Sequence, residues 1–284
     1  MNSKSIDLRA KKSLGQNFLV NDKIIYQIIN KVVEVSQGDV LNVTVLEIGP
    51  GTGALTKELL KAGFQVHAVE KDERAFSHLK NELLPNYANK LNLIEGDILK
   101  FDPNQISVKG KLICVGNIPY YITSDILMWM CQYRNLFSNA VFMVQNEVAL
   151  RITAKTSTKN YSRLSVKLQL LYEIENFLFV PASSFVPKPK VDSAVVCFTP
   201  AQQSRFQTLE EEKKFENFCA RLFSGRRKMI RKILEIELQR MNKEKFFSEL
   251  RKLGIDETFR PDAISPQNTL SLFRFVYDQK FYSE

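Results

Sequence analysis

The fold is set by Val43-Thr44-Val45-Leu46-Glu47-Ile48-Gly49-Pro50-Gly51-Thr52-Gly53, a short apolar run that ends in three alternating glycines. The run is rich in β-branched residues and too short for a helix, so it predicts a buried strand over 43–48. Glycines at this place let the backbone approach a nucleotide-like ligand closely, ahead of a helix predicted from Thr52 to Lys61. The stretch therefore predicts a Rossmann-like strand and helix and leaves the nature of the ligand open.

Further apolar runs repeat this alternation of strand and helix. The other predicted strands are Gln65 to Glu70, Leu91 to Ile94, Lys111 to Val115 and Ala140 to Gln145. The other predicted helices are one capped by Asn21 or Asp22, one from Asp72 to Leu84 and one from Ser124 to Tyr133. This order is typical of an α/β fold with a doubly wound, Rossmann-like parallel sheet, whose ligand lies at the carboxyl ends of the strands.

The last third of the chain follows a different pattern. Two extended segments, Glu173 to Val180 and Ala194 to Thr199, precede a polar linker from Pro200 to Thr208. Helical periodicity then covers Phe215 to Phe223, Met229 to Leu238 and Lys245 to Leu253. We therefore expect two domains, residues 1–203 with the sheet and residues 204–284 as a small, all-helical domain.

The composition of the 284 residues is that of an ordinary soluble globule, with 44% hydrophobic and 25% charged residues. A formal net charge of +9 favours a polyanionic partner, either nucleic acid or an acidic membrane surface. Four widely spaced cysteines without a CxxC pair and only two histidines argue against a zinc site, so no metal is expected. Because no apolar run reaches membrane-spanning length and no signal peptide follows Met1, we expect a cytoplasmic protein without a membrane partner.

Four candidate ligand residues each follow a predicted strand: Gly49, Glu70, Asp97 and Asn117. Because the carboxyl ends of parallel strands share one edge of a sheet, these residues are expected to meet at one cleft. An acid placed like Glu70, about twenty residues after the glycines, suits ribose hydroxyls. An acid after the third strand, like Asp97, suits the adenine amine of S-adenosylmethionine. Each acid also has a simpler explanation, since Glu70 favours the following helix and Asp97 is a turn residue after Gly96.

The element Asn117-Ile118-Pro119-Tyr120 indicates the chemistry. The side-chain carbonyl of Asn117, the backbone carbonyl before Pro119 and the flat face of Tyr120 suit the exocyclic amine of a flipped base. Two acceptors on the amine hydrogens concentrate electron density on nitrogen and aim its lone pair at an electrophile. A dehydrogenase would need an acid or base at this place, and neither His67 nor His78 is near it. The element therefore predicts methyl transfer from S-adenosylmethionine to a nucleobase nitrogen.

A basic cluster lies in the predicted helical domain. It consists of Arg221, Arg226, Arg227, Lys228, Arg231 and Lys232, with no acid between them. A solvated helix face is the simpler explanation of any run of charge. Like charges at this density repel one another, however, so the cluster is predicted to bind a polyanion such as RNA.

The chain resembles the KsgA (RsmA) family of small-subunit rRNA adenine dimethyltransferases from about Lys11 nearly to its C-terminus. The motifs that carry the resemblance, besides the glycine loop and Asn117-Ile118-Pro119-Tyr120, are Leu14-Gly15-Gln16-Asn17-Phe18-Leu19, Phe185-x-Pro187-x-Pro189-x-Val191-Asp192-Ser193, Gly225-Arg226-Arg227-Lys228-Met229-Ile230-Arg231 and Arg260-Pro261-Asp262-Ala263-Ile264-Ser265. Together these motifs are highly specific. One departure is Tyr121, because many members of the family carry Asn directly after the Tyr of the catalytic element.

The resemblance implies a role for each candidate residue. The cofactor-binding residues that it implies are Asn17 and Leu19 over the methionine end of S-adenosylmethionine, Gly49 and Gly51 along it, Glu70 at the ribose, Asp97 with Ile98 at the adenine, and Asn117. The catalytic residues that it implies are Asn117 and the backbone at Ile118 and Pro119 for the target amine, Tyr120 stacked on the base, and Phe185 on the opposite side. Without the family, Phe185 would be interpreted as a loop hydrophobe packed on the core.

The activity implied by the resemblance is dimethylation of N6 of two adjacent adenosines in the 3′-terminal hairpin of 16S rRNA, within an immature 30S subunit, by a monomer. The Erm group of large-subunit rRNA adenine methyltransferases is the nearest alternative. Erm proteins usually read Val-Asn-Ser at Val191-Asp192-Ser193 and lack the Gly-Arg-Arg-Lys type of helix start at Gly225, which favours the small-subunit enzyme. A ribosome assembly factor, in which binding matters more than catalysis, is a second alternative, and both roles can coexist in one protein.

Overall fold

The computed structural model of the chain describes residues 11, 15–202, 205–235 and 243–277. The strands within these ranges are β1 Phe18–Leu19, β2 Val43–Ile48, β3 Gln65–Glu70, β4 Leu91–Glu95, β5 Lys111–Asn117, β6 Phe137–Gln145, β7 Tyr172–Val180, β8 Phe185–Val186 and β9 Ser193–Pro200. The helices are α1 Asp22–Val35, α2 Ala54–Ala62, α3 Glu73–Glu82, α4 Leu84–Tyr87, α5 Thr123–Gln132, α6 Asn146–Ile152, α7 Arg163–Leu171, α8 Leu209–Ser224, α9 Ile230–Ile233, α10 Lys243–Lys252 and α11 Pro266–Tyr277.

Seven of the strands form one sheet in the order β4-β3-β2-β5-β6-β9-β7, and β1 pairs with β8 in a separate two-stranded sheet. The neighbours from β4 to β6 are parallel, whereas β9 runs antiparallel to β6. In the register of the central strands, Ile48 lies beside Val69 on one side and Gly116 on the other. The predicted Rossmann-like sheet is therefore confirmed. The turns that follow its parallel strands all lie at one edge of the sheet.

The central strands are buried along almost their whole length, as is typical of a parallel sheet that is covered on both faces. All residues of β2 are buried, and Val45, Val66 and Ile113 on three adjacent strands are each 0% exposed. Burial of one such aliphatic side chain stabilises the fold by about 1.5–3 kcal/mol. The first helix begins where predicted, since the Asn21 side chain accepts hydrogen bonds from the backbone of Lys23 and Ile24.

Most of the predicted elements lie at their expected places. The bounds predicted for β2 and β3 are those of the structure, whereas β5 continues to Asn117 and β6 already begins at Phe137. The helix predicted from Met229 to Leu238 is represented by α9, and residues 236–242 lie outside the described ranges. The helices α6, α7 and α11 were not predicted. The short α7 runs directly into β7, so a single apolar segment carries both helical and strand periodicity.

The chain divides into two compact units that are each built from separated segments. The first unit contains the residues up to Ala149 and Ile174–Pro200, and the second contains Leu150–Glu173 and the part from Ala201 onward. This division differs from the expected domains 1–203 and 204–284, because 150–173 fold with the helical part of the chain. The residues at the expected boundary, 203 and 204, lie outside the described ranges.

The second unit is helical and has its own aromatic core. The ring of Phe273 lies 5.5 Å from that of Phe215 and 5.7 Å from that of Phe218, which joins α11 to α8. The buried hydroxyl of Tyr161 donates a hydrogen bond to the carbonyl of Ile264 at 2.9 Å. This bond satisfies the one polar atom of a fully buried aromatic side chain and fixes the segment before α7 onto the segment before α11. Across the described parts of the chain, no helix is long and apolar enough to cross a membrane.

The turn before β5 yields a test of the fold. Gly110 has a φ of 64°, and a Cβ added there would lie 2.2 Å from the backbone oxygen of Asn42. We expect Gly110→Ala to lower the free energy of unfolding by roughly 3 kcal/mol or more, because the left-handed backbone costs about 1–2 kcal/mol and the clash adds to it. The measurement is urea unfolding followed by circular dichroism.

Gly38→Ala is the matched control. Gly38 also has a positive φ, 76°, but a Cβ there meets no atom within 4 Å. Only the backbone term of about 1–2 kcal/mol is expected for this variant. Equal destabilisation by the two substitutions would contradict the close approach of Gly110 to Asn42.

Candidate active site

A cleft lies at the carboxyl edge of the parallel strands. Its volume is about 1010 Å³, which includes space open to the solvent. The expected residues that line it are Asn17, Leu19, Gly49, Gly51, Glu70, Asp97, Ile98, Asn117, Pro119 and Tyr120. The structure thus brings together residues that are up to a hundred positions apart in the sequence, such as Asn17 and Asn117. Phe185 is not among the lining residues.

The glycine loop after β2 is braced by Glu70 at the end of β3. One carboxylate oxygen of Glu70 accepts a hydrogen bond from the Gly51 backbone at 2.9 Å, and the other accepts from the Asp72 backbone at 2.7 Å. Glu70 is only 6% exposed, and this burial raises the pKa of its carboxyl. A carboxylate offers about four acceptor positions, so Glu70 can hold the loop and still accept from ligand hydroxyls.

A second carboxyl, Glu47, lines the cleft and was not singled out from the sequence. It stands within the buried strand β2, is 1% exposed, and its Oε2 has no hydrogen-bond partner among the described residues. Burial, with a contribution from the nearby Glu70 charge, raises the pKa of Glu47 to about 8. A carboxyl in such a place is neutral near pH 7 unless a cation pairs with it. The sequence feature that indicates this residue is an acid within a largely apolar strand.

Asp97 caps the short turn after β4 and is ion-paired. Its Oδ1 accepts from the backbone of Leu99 at 3.1 Å, and its Oδ2 accepts from Lys71 Nζ at 2.8 Å. The hydrogen bond from Lys71 holds the pKa of Asp97 below its usual range, so this carboxyl is ionised at neutral pH. Lys71 also lines the cleft and was missed in the sequence because its partner is 26 residues away.

Asn117, at the end of β5, has a fixed orientation. Its side-chain Nδ2 donates to the backbone carbonyl of Asn17 at 3.0 Å. Because the nitrogen is committed, the amide oxygen Oδ1 faces the other way, and no described residue donates to it. The site therefore presents a preorganised acceptor of the kind predicted for a target amine.

The backbone beside Asn117 supplies a second acceptor. Ile118 is 1% exposed and its N–H donates to Met143, but its carbonyl has no hydrogen-bond partner in the described part of the chain. The Pro119 carbonyl, in contrast, already accepts from the Ile122 backbone at 3.2 Å. Buried carbonyls are rarely left unpaired, so Ile118 is the better candidate for a ligand acceptor than Pro119.

Tyr120 is anchored at its hydroxyl, which lies 2.6 Å from Oγ of Ser193. Burial raises the pKa of this hydroxyl, so Tyr120 stays neutral and offers a ring face and not a base. The contact also connects the catalytic element to Val191-Asp192-Ser193. Phe185 lies elsewhere: it is 2% exposed and belongs to the hydrophobic core, where β8 pairs with β1. Its placement agrees with the interpretation as a packed hydrophobe, because the strand pairing turns the ring into the core.

The basic cluster of the second unit is not a uniform set of free charges. Arg226 donates to the backbone carbonyls of Thr158 and Lys159, the latter at 2.6 Å, and Arg231 pairs with Glu257 at 3.2 Å. Arg221 is half-buried and lies over the ring of Phe218 at 5.8 Å. Arg227, Lys228 and Lys232 are exposed and have no ion-pair partner among the described residues. The acids that neutralise part of the cluster come from distant positions, which the sequence run did not reveal.

A cleft at the carboxyl edge of this sheet, with unpaired carbonyl acceptors beside a tyrosine face, places the chain among the Rossmann-like methyltransferases. The chain belongs to the ribosomal RNA adenine dimethylase family, whose model matches residues 7–278. It is an S-adenosylmethionine-dependent rRNA adenine dimethyltransferase. The family expected from the sequence motifs is thereby confirmed.

Individual proteins show the same likeness along nearly the whole chain. A ribosomal RNA small subunit methyltransferase A from Mycoplasmopsis synoviae is 40% identical over 95% of this chain and 98% of its own. The crystal structure of a dimethyladenosine transferase from Plasmodium falciparum has a TM-score of 0.77 at 28% identity and covers 93% of this chain and 99% of its own. The 23S rRNA methyltransferase ErmE has a TM-score of 0.71 at 27% identity and covers 92% of this chain and 100% of its own.

The placement of Asp97 predicts its effect on cofactor binding. We expect Asp97→Ala to weaken S-adenosylmethionine binding about tenfold to a hundredfold, because one hydrogen bond to a charged group contributes about 1.5–3 kcal/mol. The same loss is expected for Glu70→Gln, because an amide nitrogen replaces one of the two carboxylate oxygens that accept hydrogen bonds. Isothermal titration calorimetry with the purified protein measures both.

Asp102→Ala is the control for Asp97. Asp102 caps the next short turn in the same way, by accepting from the Asn104 backbone at 3.0 Å, but it does not line the cleft. Its removal should leave cofactor affinity at the parental value. Unchanged affinity in Asp97→Ala would remove Asp97 from the cofactor site.

Proposed function

We propose that this enzyme dimethylates N6 of two adjacent adenosines in the 3′-terminal hairpin of 16S rRNA, within an immature 30S subunit. The observation that carries the proposal is the pair of unpaired acceptors, Asn117 Oδ1 and the Ile118 carbonyl, beside the face of Tyr120. The choice of the small subunit is supported by the 40% identity to a relative named for that activity. In this proposal the protein acts as a monomer in the cytoplasm, where ribosomal subunits are assembled.

The polar side chains and the exposed backbone that line the cleft suit the polar groups of S-adenosylmethionine. We assign Glu70 to the ribose hydroxyls, Asp97 and Ile98 to the adenine, and Asn17 and Leu19 to the methionine end, because all five line the cleft. The glycine loop contributes backbone at Gly49 and Gly51. Their positive φ values of 61° and 59° favour glycine, which places no side chain between the backbone and the ligand. When bound, the cofactor supplies an electrophilic methyl group on a sulfonium.

The catalytic element acts on the other reactant. Asn117 Oδ1 and the Ile118 carbonyl accept the two amine hydrogens of the flipped adenine, which localises the nitrogen lone pair and directs it at the methyl group. Tyr120 holds the ring by stacking. As the nitrogen–carbon bond forms and the carbon–sulfur bond breaks, the amine becomes acidic, and its proton leaves to water. The site therefore works by alignment and needs no general base.

Two alternatives from the sequence lead to different experiments. The hypothesis of an Erm-type enzyme is weakened because this chain is 27% identical to ErmE and 40% identical to the small-subunit relative. The sequence Val191-Asp192-Ser193 favours the same choice, because Erm proteins usually carry Asn at the position of Asp192. A role as assembly factor is compatible with catalysis. It predicts that binding to the immature subunit persists after loss of cofactor-pocket residues such as Glu70 and Asp97.

The RNA-binding surface that we propose centres on Arg227 and Lys228. Both are exposed and neither is paired with an acid in the described residues, so their charge is available to phosphates. Arg226 belongs to the same cluster, but its guanidinium is occupied by backbone carbonyls and by Asp262 at 3.8 Å. We therefore assign Arg226 a structural part in presenting the surface, and Arg221 and Arg231 a weaker contact with RNA.

The sharpest prediction concerns Asn117. Asn117→Ala should lower single-turnover methylation of a 30S-type substrate about a hundredfold to a thousandfold, with RNA affinity almost unchanged, because a preorganised group that acts in the transition state is lost. Asn117→Asp keeps an acceptor and should retain more activity than Asn117→Ala. Thermal melts run alongside separate catalysis from stability. A variant that melts normally and methylates at the parental rate would exclude Asn117 from the mechanism.

The second prediction concerns RNA affinity. Arg227→Ala combined with Lys228→Ala should weaken substrate binding and reduce the slope of log affinity against log salt by roughly one unit per lost phosphate contact. The melting temperature should stay parental, whereas Arg226→Ala should lower it. Filter binding over a range of salt concentrations measures the slope.

The matched control removes the same charge from another place in the second unit. Lys213 and Lys214 are exposed on α8, so replacing both by Ala changes the net charge equally. If the Lys213 and Lys214 double variant reduces the salt dependence as much as the Arg227 and Lys228 double variant does, binding depends on net charge and not on a defined surface.

A further inference from the structure

Residues 15–19, which we call the strap, form one wall of the cleft. Each of the residues from Gly15 to Leu19 lines it, yet only Phe18 and Leu19 are in a strand, paired with Val186 and Phe185. A Cβ added at Gly15 would lie 3.1 Å from the Tyr121 ring, so the strap passes close to the catalytic element as well. The N-terminal end of the strap, before Phe18, depends on side-chain contacts for its position.

The main contact at that end is between Gln16 and Asp72. Gln16 Nε2 donates to Asp72 Oδ2 at 3.0 Å, and Lys11 Nζ reaches Asp72 Oδ1 at 3.1 Å. The Asp72 side chain is 0% exposed, at the start of α3, and Arg74 pairs with it at 2.7 Å. Arg74, Gln16 and Lys11 hold the pKa of Asp72 well below its usual range. A buried and permanently charged acceptor thus fastens the strap to the body of the first unit.

The strap is in turn the hydrogen-bond partner of the catalytic amide. The carbonyl that accepts from Asn117 Nδ2 belongs to Asn17, the residue directly after Gln16. If the strap moves away, the Asn117 amide loses the only described contact that distinguishes its oxygen from its nitrogen. A rotation by half a turn would then present a donor to the target amine in place of an acceptor.

We infer that Gln16 is a positioning residue for methyl transfer: its hydrogen bond to Asp72 holds the strap where Asn17 fixes the acceptor side of Asn117 towards the target amine. The same segment then both lines the cleft and aligns the Asn117 amide. The inference rests on the proposed function of Asn117. It adds a distinct claim, that a residue outside the catalytic element sets turnover at saturating cofactor.

A double-mutant cycle tests the inference. Gln16→Ala should lower single-turnover methylation at saturating S-adenosylmethionine and RNA about three- to tenfold, as expected for loss of one hydrogen bond. In an Asn117→Ala or Asn117→Asp background, where no Nδ2 donates to Asn17, the same substitution should change the rate less than twofold. Coupling of this kind is expected only if Gln16 acts through Asn117. Using both backgrounds keeps the residual rate measurable.

Other outcomes contradict the inference. A strap that only covers the cofactor would raise KM for S-adenosylmethionine in Gln16→Ala and leave the saturated rate at the parental value. Equal losses in all backgrounds would show that Gln16 and Asn117 act independently. Val20→Ala is the control, because Val20 follows the strap directly, is 52% exposed and does not line the cleft. It should behave as the parent, and failure of the parent to methylate RNA would overturn the proposed function and not the strap alone.

Discussion

The turn at the carboxyl end of β2 must leave a strand that is buried on both faces, and the active site depends on how it does so. Three glycines with positive φ carry the chain out of the sheet, and the Gly51 N–H donates to the Glu70 carboxylate at the end of the neighbouring strand. This bond connects the ends of β2 and β3 into one rim. With Asp97 after β4 and Asn117 at the end of β5, the polar groups at the ends of four parallel strands lie at one edge of the sheet.

The two halves of the site meet at a hydrogen bond between Asn17 and Asn117. One residue belongs to the wall assigned to the methionine end of the cofactor, and the other belongs to the element proposed to hold the target amine. The catalytic element is also tied from the other side, where Ser193 holds the Tyr120 hydroxyl. An alignment mechanism without a general base requires such fixed geometry, because small displacements of reacting atoms reduce the rate strongly.

Local patterns in the sequence were sufficient for the sheet and for most of the cleft. The apolar runs of β2 and β3 end at a glycine and at an acid, so both the strands and the residues that follow them were predictable. Contacts between distant residues were not. Gln16 and Asp72 are 56 positions apart, and Arg226 and Lys159 are 67 positions apart, so neither pairing leaves a trace in a short window. The burial of Phe185 follows from the pairing of β8 with β1. Each of these strands has only two residues, so their pairing cannot be predicted from local sequence.

The activity of this cleft is the dimethylation of adenosine in small-subunit rRNA. Mass spectrometry of rRNA from a strain that lacks the protein, after incubation of its 30S-type particles with purified protein and labelled S-adenosylmethionine, tests it most directly. We expect dimethyladenosine at two adjacent positions of the 3′-terminal hairpin of 16S rRNA, and none in 23S rRNA. Label confined to 23S rRNA, or an absence of dimethyladenosine despite cofactor binding, would exclude this activity.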